Sequence, residues 1–260
     1  MAINRTTENH ITVSIRKDRR RLTRWIFWVG LPAVAAASVM WPDGIWAWVL
    51  VWLVCIQVAR RTGSSIMLAG AAGENRALAV LSGLSAEYTL FNQIRLPDGR
   101  SSTGFREADF MVVGPNGVFI IENKDYRGRV EGDWNSAYWE VHKIGRCGTP
   151  YMKSCRNPVR QVQVYVSLLA AIFSSRDIKA WITPMVSLSR DNSLGLINSE
   201  KVQVMRVADL CENILAHHGT LSTENMDKVL GLLEELRTGR FMQAQETESV
   251  AGLIGGGNKR

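Results

Sequence analysis

The fold is decided by one stretch of the chain, Asp109-Phe110-Met111-Val112-Val113-Gly114-Pro115-Asn116-Gly117-Val118-Phe119-Ile120-Ile121-Glu122-Asn123-Lys124. Two apolar runs flank Gly114-Pro115-Asn116-Gly117, which is typical of a turn, so the stretch predicts a β-hairpin. With a turn of these four residues, Val113 faces Val118. Both runs are almost wholly apolar, as strands buried on both faces are, yet charged residues cluster at the open end of the hairpin.

The same pairing places Asp109 opposite Glu122 and Glu107 opposite Lys124, and side-chain alternation puts all four on one face of the sheet. Directly opposed carboxylates have Cβ atoms about 4.5–5.5 Å apart and repel each other unless a cation lies between them. Oxygen ligands of this kind suit Mg²⁺ or Mn²⁺. Each acid or lysine taken singly also fits a solvated strand end, which is the alternative interpretation.

A divalent cation bound by Asp109 and Glu122 suits phosphodiester hydrolysis, because it lowers the pKa of a bound water and stabilises charge on the scissile phosphate. Lys124 is expected to orient the nucleophile or to offset developing negative charge. Glu107 is expected to hold the Lys124 ammonium in place or to join the outer shell of the metal. The residues therefore predict a metal-dependent catalytic site at this end of the hairpin.

The segments around the hairpin predict an α/β domain. Leucines at near-helical spacing predict a helix from 73 to about 83, and Asn157-Pro158 is typical of a helix start, with Asn as the cap and Pro in the first turn. Further strands are predicted at 88–94, 130–141, 179–188 and 201–207, and further helices at 157–174, 208–217 and 223–237.

The N-terminal quarter has a different composition from the rest. The chain has 260 residues and a formal net charge of +7, and residues 1–24 hold seven Lys and Arg against two acids. From Trp25 to Ala59 the only charged residue is Asp43, inside a predicted turn at 41–44. The two apolar runs predict a transmembrane helical hairpin, and the positive-inside rule places both termini and the globular domain in the cytoplasm. A cleaved signal peptide and a buried helical hairpin remain as alternatives.

The overall composition excludes collagen, disorder and a disulfide-stapled mini-protein. Cys147, Cys155 and Cys211 are an odd number outside the apolar runs, so no disulfide framework is expected. His142 with Cys147 and Cys155 lacks the spacing of a zinc knuckle, and no zinc site is expected there. His217-His218 is interpreted as a feature of a helix end.

Asp109, the twelve residues that follow it and then Glu122-Asn123-Lys124 resemble the D…ExK core of the PD-(D/E)xK nuclease superfamily, the restriction-endonuclease-like fold. The chain is more specifically similar to the nuclease-related domain family, NERD. The matching segments occur in family order over about 70–188; they are Gly73-Glu74, Glu107-Ala108-Asp109-Phe110, Gly117 to Lys124, Tyr126-Arg127-Gly128, Trp134 to Trp139 and Asn157-Pro158-Val159-Arg160-Gln161.

The resemblance implies a mixed sheet flanked by helices and a metal-dependent nuclease core carried by Asp109, Glu122 and Lys124, with Glu74 as a further acid. Gln161 and Tyr165 resemble the Q-x3-Y element of RecB-type relatives, which faces the same site; helix surface and core packing are the alternatives. Asn123 departs from the family pattern, where a small or aliphatic residue is common. It is expected to offer the metal its backbone carbonyl, and otherwise the site is altered or impaired.

A nucleic-acid surface is predicted near the site. Trp134, Tyr138 and Trp139, with Arg127 and Arg129 nearby, are suited to base stacking and phosphate contact, and Tyr165 is added from the later helix. Aromatic residues of a hairpin also serve sheet packing, which is the alternative interpretation. Residues 25–260 carry a formal net charge of only +2, which gives weak support for general DNA binding.

Together these interpretations predict a membrane-anchored, cytosol-facing, Mg²⁺-dependent nuclease that cleaves DNA, in the inner cell membrane with two passes. Its expected partners are nucleic acid, the lipid bilayer and membrane-associated proteins. The alternatives are a non-catalytic nucleic-acid- or protein-binding module of the same fold, for example in a DNA transfer or defence assembly, and a membrane interaction protein without a nucleic-acid role. The predicted organisation is a basic cytosolic arm (1–24), a transmembrane hairpin (25–60), a connector (61–72), a NERD nuclease-like core (73–190), a C-terminal strand and helices that complete the domain (191–240) and a disordered tail (241–260).

Overall fold

The structure is a computed structural model that describes residues 1–7, 10–40, 45–61, 65–145, 147–190 and 193–241. The chain divides into two compact units. One comprises Met1–Thr7 and Gly73–Arg260, and the other comprises Glu8–Ala72. Most of the predicted tail and the predicted turn at 41–44 lie outside the described residues. Phe241, the first residue of that tail, is buried in the core.

The smaller unit is helical. It contains α1 (His10–Met40), α2 (Ile45–Arg61) and the first part of α3 (Ser65–Leu81). Helices α1 and α2 cross where Gly30 leaves room for Trp52, since a Cβ atom at Gly30 would lie 2.6 Å from the indole ring. The indole Nε1–H donates to the carbonyl of Ile26 at 3.1 Å.

The prediction of two transmembrane helices is wrong. Among the described residues, no helix combines the length and the apolar character that crossing a bilayer requires. Helix α2 has 17 residues, about 25 Å at 1.5 Å per residue, whereas the hydrocarbon core of a bilayer is about 30 Å thick. Helix α1 is longer, but its first half carries the basic cluster, and Pro32 lies in its apolar half. The predicted location, a two-pass protein of the inner membrane, is contradicted by the same finding.

The larger unit is built on a six-stranded mixed sheet in the order β1-β2-β3-β4-β8-β10. Strands β2, β3 and β4 are antiparallel, whereas β1, β8 and β10 run parallel to their neighbours. The predicted hairpin register is confirmed, because Val113 pairs with Val118 and Met111 with Ile120. The strands are β1 (Ile3–Asn4), β2 (Thr89–Pro97), β3 (Phe105–Gly114), β4 (Gly117–Lys124), β8 (Ile182–Leu188) and β10 (Gln203–Arg206).

A second sheet of four strands has the order β7-β6-β5-β9. Its strands are β5 (Arg129–Asp133), β6 (Tyr138–Ile144), β7 (Pro150–Arg156) and β9 (Leu194–Asn198). Val130, Trp139 and Val141 attach this sheet to the main core. Strands β1, β7 and β9 were not expected from the sequence.

Helices cover both faces of the main sheet. One apolar cluster joins the sheet to α4 (Pro158–Ser175) and α6 (Thr223–Thr238), and a second joins it to α3 and α5 (Leu210–Leu215). The two clusters use alternate residues of the hairpin strands, which explains why those strands are apolar at nearly every position. The predicted α/β fold, with a mixed sheet flanked by helices, is confirmed, and this architecture fits a nuclease-like fold.

Helix α4 begins where the sequence predicts. The Asn157 side-chain carbonyl accepts from the backbone N–H of Val159 at 2.9 Å, which satisfies a free donor of the first turn. The Asn157 amide also donates to the carbonyls of Asp133, Trp134 and Ser136. Asn157 therefore fixes the start of α4 to the loop after β5, and this orients the helix that carries Gln161 and Tyr165.

Candidate active site

The predicted acids meet where β3 and β4 separate. The regular pairing ends at Phe110 and Ile121. Beyond that pair, the backbone N–H of Asn123 donates to Oδ2 of Asp109 at 2.8 Å, so a side-chain bond replaces the ladder bond. The Lys124 ammonium contacts Oε1 of Glu122. The pairing of β3 with β4 thus stops beside two carboxyl groups, each of which is held by a contact of its own.

Glu122 is the most unusual residue of the cluster. Its side chain is only 1% exposed. Its Oε2 atom is buried and has no hydrogen-bond partner within the described part of the chain. Burial, and then the charge of Asp109, raise the pKa of Glu122 to about 8. A buried carboxylate oxygen without a donor is costly, and a cation at this position would satisfy it.

The neighbouring charged groups also shift one another's pKa values. Burial raises the pKa of Asp109, although Lys124 and the Asn123 N–H oppose the shift. Burial acts to lower the pKa of Lys124, but the carboxylates of Glu122 and Asp109 outweigh it and hold that pKa above its usual value. The carboxyl groups of Asp109 and Glu122 therefore share the single ammonium group of Lys124, and together they outnumber it.

Glu74 reaches the same cluster from α3. The Gln93 amide donates to Oε2 of Glu74 at 3.3 Å. Burial, and then the charge of Asp109, raise the pKa of Glu74 to about 7. Gly73 makes this placement possible, because a Cβ atom there would lie 2.8 Å from Cβ of Asp125. The adjacent Gly and Glu therefore have linked roles: the first lets α3 approach β4, and the second supplies the carboxyl group.

Gln93 is a site residue that sequence reasoning missed. It has a φ of +52°, the left-handed region that side chains other than glycine seldom adopt. It lies in β2 between Asn92 and Ile94, which pair with Phe110 and Ala108 of β3 on either side of Asp109. Strain of this kind at a candidate site is a recognised signal, but only the structure reveals it.

The side chain of Asn123 does not take part in the acid cluster. Its Oδ1 atom accepts from the hydroxyls of Ser187 at 2.9 Å and Ser189 at 2.8 Å. The two serines explain how an amide is accommodated at a buried position where the family pattern has smaller residues. These two bonds engage the side-chain oxygen of Asn123, and the expected role of its backbone carbonyl as a metal ligand stays a prediction.

Asp125 is a second residue without a role in the sequence interpretation. Its carboxylate is 2% exposed and lies 2.6 Å from Nη2 of Arg76 and 2.9 Å from Nε of Arg190. Arg76 belongs to α3 and Arg190 follows β8, so one acid holds three segments together. Because these partners are far apart in sequence, the pattern of residues gave no signal for this cluster.

The predicted partner of Glu107 is corrected. Glu107 pairs with Arg95 of β2, and their side chains form an ion pair at 3.5 Å. The reason is that pairing of β3 with β4 stops at Phe110, whereas pairing of β3 with β2 continues past Glu107. Glu107 lies at the rim of the cluster and adds to the field that raises the pKa of Glu74.

Helix α4 brings Gln161 and Tyr165 to the cluster. The Gln161 amide donates to Oη of Tyr165 at 2.5 Å. Burial, and then the charge of Glu122, raise the pKa of Tyr165 well above its ordinary value. Tyr165 also packs in the main core, so it contributes to core packing and at the same time lies near Glu122.

The predicted stacking surface is only partly accessible. Trp139 is 0% exposed and donates from Nε1 to the carbonyl of Asp133, so the prediction that it contacts nucleic acid is wrong and sheet packing is its role. Trp134 is half-buried, and the Lys201 ammonium lies 5.8 Å from its ring centroid. Arg127 is exposed, and Arg129 forms an ion pair with Glu131 at 3.2 Å.

The cluster supplies two carboxylate side chains that could bind a divalent cation. Within the described ranges, no group of three or more His, Cys, Asp and Glu side chains is arranged to hold a metal ion. Asp109 and Glu122 nevertheless offer hard oxygen ligands, and Oε2 of Glu122 has no other partner there. Mg²⁺ usually keeps several waters and takes one or two carboxylates plus a phosphate, so two side chains meet its requirements.

One comparison with known proteins matches the segment that carries the acid cluster. Residues 69–189 match the family model described as the nuclease-related domain, NERD. No curated protein and no solved structure matches the chain. The matched segment contains Glu74, Gln93, Asp109, Glu122 and Lys124. The match therefore supports placing residues 69–189 of this chain in the NERD family and supports a nuclease-related function.

Proposed function

We propose that the larger unit is a divalent-metal-dependent nuclease that hydrolyses phosphodiester bonds of DNA. The observation that carries the proposal is the buried, unpartnered Oε2 of Glu122 beside Asp109, within the segment that matches the nuclease-related domain. Mg²⁺ or Mn²⁺ is the cation class that these ligands suit.

The residues would divide the work as follows. Asp109, Glu122 and the backbone carbonyl of Asn123 would hold the cation. When bound, it supplies a water of lowered pKa and neutralises charge on the scissile phosphate. Lys124, kept in place by Glu122, would stabilise the negative charge that develops on the phosphate in the transition state.

Three further residues would support the reaction. Glu74, held by Gln93, would orient the attacking water and accept its proton. Tyr165, held by Gln161, would close the opposite side of the cluster and limit the access of other water. Glu107 lies at the rim, with Arg95 as its partner, and would act only through the field it adds.

Cleavage assays test this proposal. The full chain is incubated with single-stranded DNA, double-stranded DNA and RNA, with Mg²⁺, Mn²⁺ or a chelator. We expect metal-dependent cleavage of DNA that falls at least about 100-fold in Asp109→Asn and Glu122→Gln, the range typical when a charged group that stabilises the transition state is removed. Glu140→Gln is the matched control, since Glu140 is an exposed acid of β6 outside the cluster. Cleavage that persists in Glu122→Gln would reject the proposal.

A second candidate is a binding module of the same fold without turnover. It is favoured by the finding that, in the described ranges, no group of three or more metal-ligating side chains is preformed. This candidate predicts nucleic-acid binding by the wild-type chain without cleavage in any metal. It also predicts that Glu122→Gln leaves binding unchanged.

A further inference from the structure

Strands β6 and β7 form a hairpin whose outer half is exposed. Trp139 and Val141 anchor its base in the core. Further along, Ile144 is 78% exposed and Tyr151 is 51% exposed. Strand β7 is also the edge of its sheet, since none of the described residues forms a strand beyond it. A long, exposed edge strand that carries aromatic residues is unusual unless it contacts a partner.

One face of this hairpin leads away from the acid cluster. Trp139 pairs with Cys155, Val141 with Lys153, and Lys143 with Tyr151, so these residues lie on the same face. The Cys155 end leads directly into α4, the helix that brings Gln161 and Tyr165 to the cluster, because β7 ends at Arg156 and α4 begins at Pro158. Successive residues on one face of a strand are about 7 Å apart, so Lys153 and then Tyr151 extend outward from the cluster in steps.

The charge on this face is positive. Its charged side chains are Lys143 and Lys153, whereas Glu140, the one acid of strands β6 and β7, pairs with Ser154 on the other face. In the described part of the chain, no carboxylate lies within ion-pair distance of Lys143 or Lys153. This local excess contrasts with the net charge of only +2 over the whole of residues 25–260. An acidic cluster at one end and unpaired lysines along the face suit a polyanion that is cut at the cluster.

We propose that the hairpin face, defined as Lys143, Tyr151 and Lys153, binds a single strand of nucleic acid and guides it to the acid cluster. The lysines contact phosphates, and Tyr151 stacks on an unpaired base. A single strand of nucleic acid is favoured for two reasons. The face is narrow, with one row of side chains from β6 and one from β7, and a base can stack on the exposed ring of Tyr151 only when that base is unpaired. The inference rests on the proposed nuclease function and names its substrate class.

Fluorescence anisotropy with labelled oligothymidylate tests the binding step, with the full chain in chelator so that no cleavage occurs. We expect Tyr151→Ala to weaken binding at least about fivefold, the lower end of what loss of one stacked base costs. The double variant Lys143→Ala/Lys153→Ala is expected to reduce the slope of log affinity against log salt by about 1.4. Lys179→Ala is the control, because Lys179 is an exposed lysine outside the hairpin.

Hydrolysis of bis(p-nitrophenyl) phosphate separates this inference from the function on which it rests. Tyr151 lies two same-face steps of about 7 Å each beyond Cys155. The hairpin variants should therefore hydrolyse this small diester at the wild-type rate, while their KM for oligonucleotide rises. Unchanged oligonucleotide binding in both hairpin variants, or tighter binding of duplex than of single strand, would overturn the hairpin face. If the variants lose binding but the wild-type chain hydrolyses neither substrate, the hairpin face stands and the nuclease proposal fails.

Discussion

Two neighbouring carboxyl groups, Asp109 and Glu122, are each held through one oxygen, and the second oxygen of Glu122 is buried without a hydrogen-bond partner in the described part of the chain. The sequence spacing predicts Asp109 opposite Glu122, and the charge of Asp109 does act on Glu122, although the regular pairing of β3 with β4 does not extend to these two residues. It did not anticipate that β3 and β4 separate after Phe110 and Ile121, which moves Glu107 to Arg95. Nor did it identify Gln93, because a positive φ leaves no mark in a pattern of residue types.

The raised pKa values predict how stability depends on pH without metal. Glu74 and Glu122 have pKa values of about 7 and about 8 in the folded chain, against 4.5 for an unperturbed glutamate. Between about pH 4.5 and 8 the folded state therefore holds more protons than the unfolded state, so the free energy of unfolding falls as pH rises. Carboxyl groups with depressed pKa, such as Glu234, act in the opposite direction only below this window.

Thermal unfolding in chelator checks this dependence. The Tm of the wild-type chain should fall from about pH 5 to about pH 8, and Glu122→Gln should flatten much of the fall. Glu140→Gln should leave the profile unchanged. A wild-type Tm that is constant or rises across this range would contradict the assigned pKa directions.

Asn123 gives a prediction that separates packing from metal binding. Asn123→Ala removes the acceptor of two buried serine hydroxyls, and we expect a loss of about 1–3 kcal/mol in the free energy of unfolding. Affinity for Mn²⁺ should stay near the wild-type value, because the backbone N–H that holds Asp109 remains. Urea denaturation and calorimetric titration measure the two effects. A large loss of affinity with unchanged stability would assign the Asn123 side chain to the metal.

Among the secondary-structure elements, those with a turn or cap motif in their own sequence could be predicted, whereas others could not. The hairpin of β3 and β4 and the start of α4 were predictable, because a turn sequence and an Asn-Pro cap are local. Strand β7 was missed because Pro150–Arg156 has no alternation of apolar and polar residues and is exposed almost throughout. The membrane prediction rested on the lack of charge in the two apolar runs, and it is wrong because none of the described helices, including α2 with its 17 residues, is long and apolar enough to cross a bilayer.

The position of α3 depends on Asp125. Asp125→Asn should weaken its hold on Arg76 and Arg190, and we expect a loss of about 1–3 kcal/mol in the free energy of unfolding, since both arginines are partly exposed and can be solvated. Nuclease activity should fall as well, because Glu74 lies on the same helix. Asp209→Asn is the control, as its ion pair with Arg206 is a surface pair worth less than about 1 kcal/mol. Equal stability of the two variants would show that Asp125 does not hold α3.

At the scale of the whole molecule, the candidate site draws on residues spread over much of the chain. Glu74 on α3, Asp109 and Glu122 on the central hairpin and Tyr165 on α4 converge only through the fold. The family match at 69–189 spans all of them, and this is why the order of motifs along the sequence was informative. The partners that hold each group, such as the two arginines around Asp125, are long-range contacts and required the structure.

Calorimetric titration of the full metal-free chain with Mn²⁺ at about pH 7.5 tests directly whether the acid cluster binds a metal ion. We expect saturable binding at a single site in the wild-type chain and in Glu140→Gln, with affinity at least about tenfold weaker in Glu122→Gln, because a glutamine cannot give up a proton and offer Mn²⁺ a charged oxygen. Equal Mn²⁺ affinity in all three proteins, or no binding by the wild-type chain, would contradict the assignment of this cluster as a metal site.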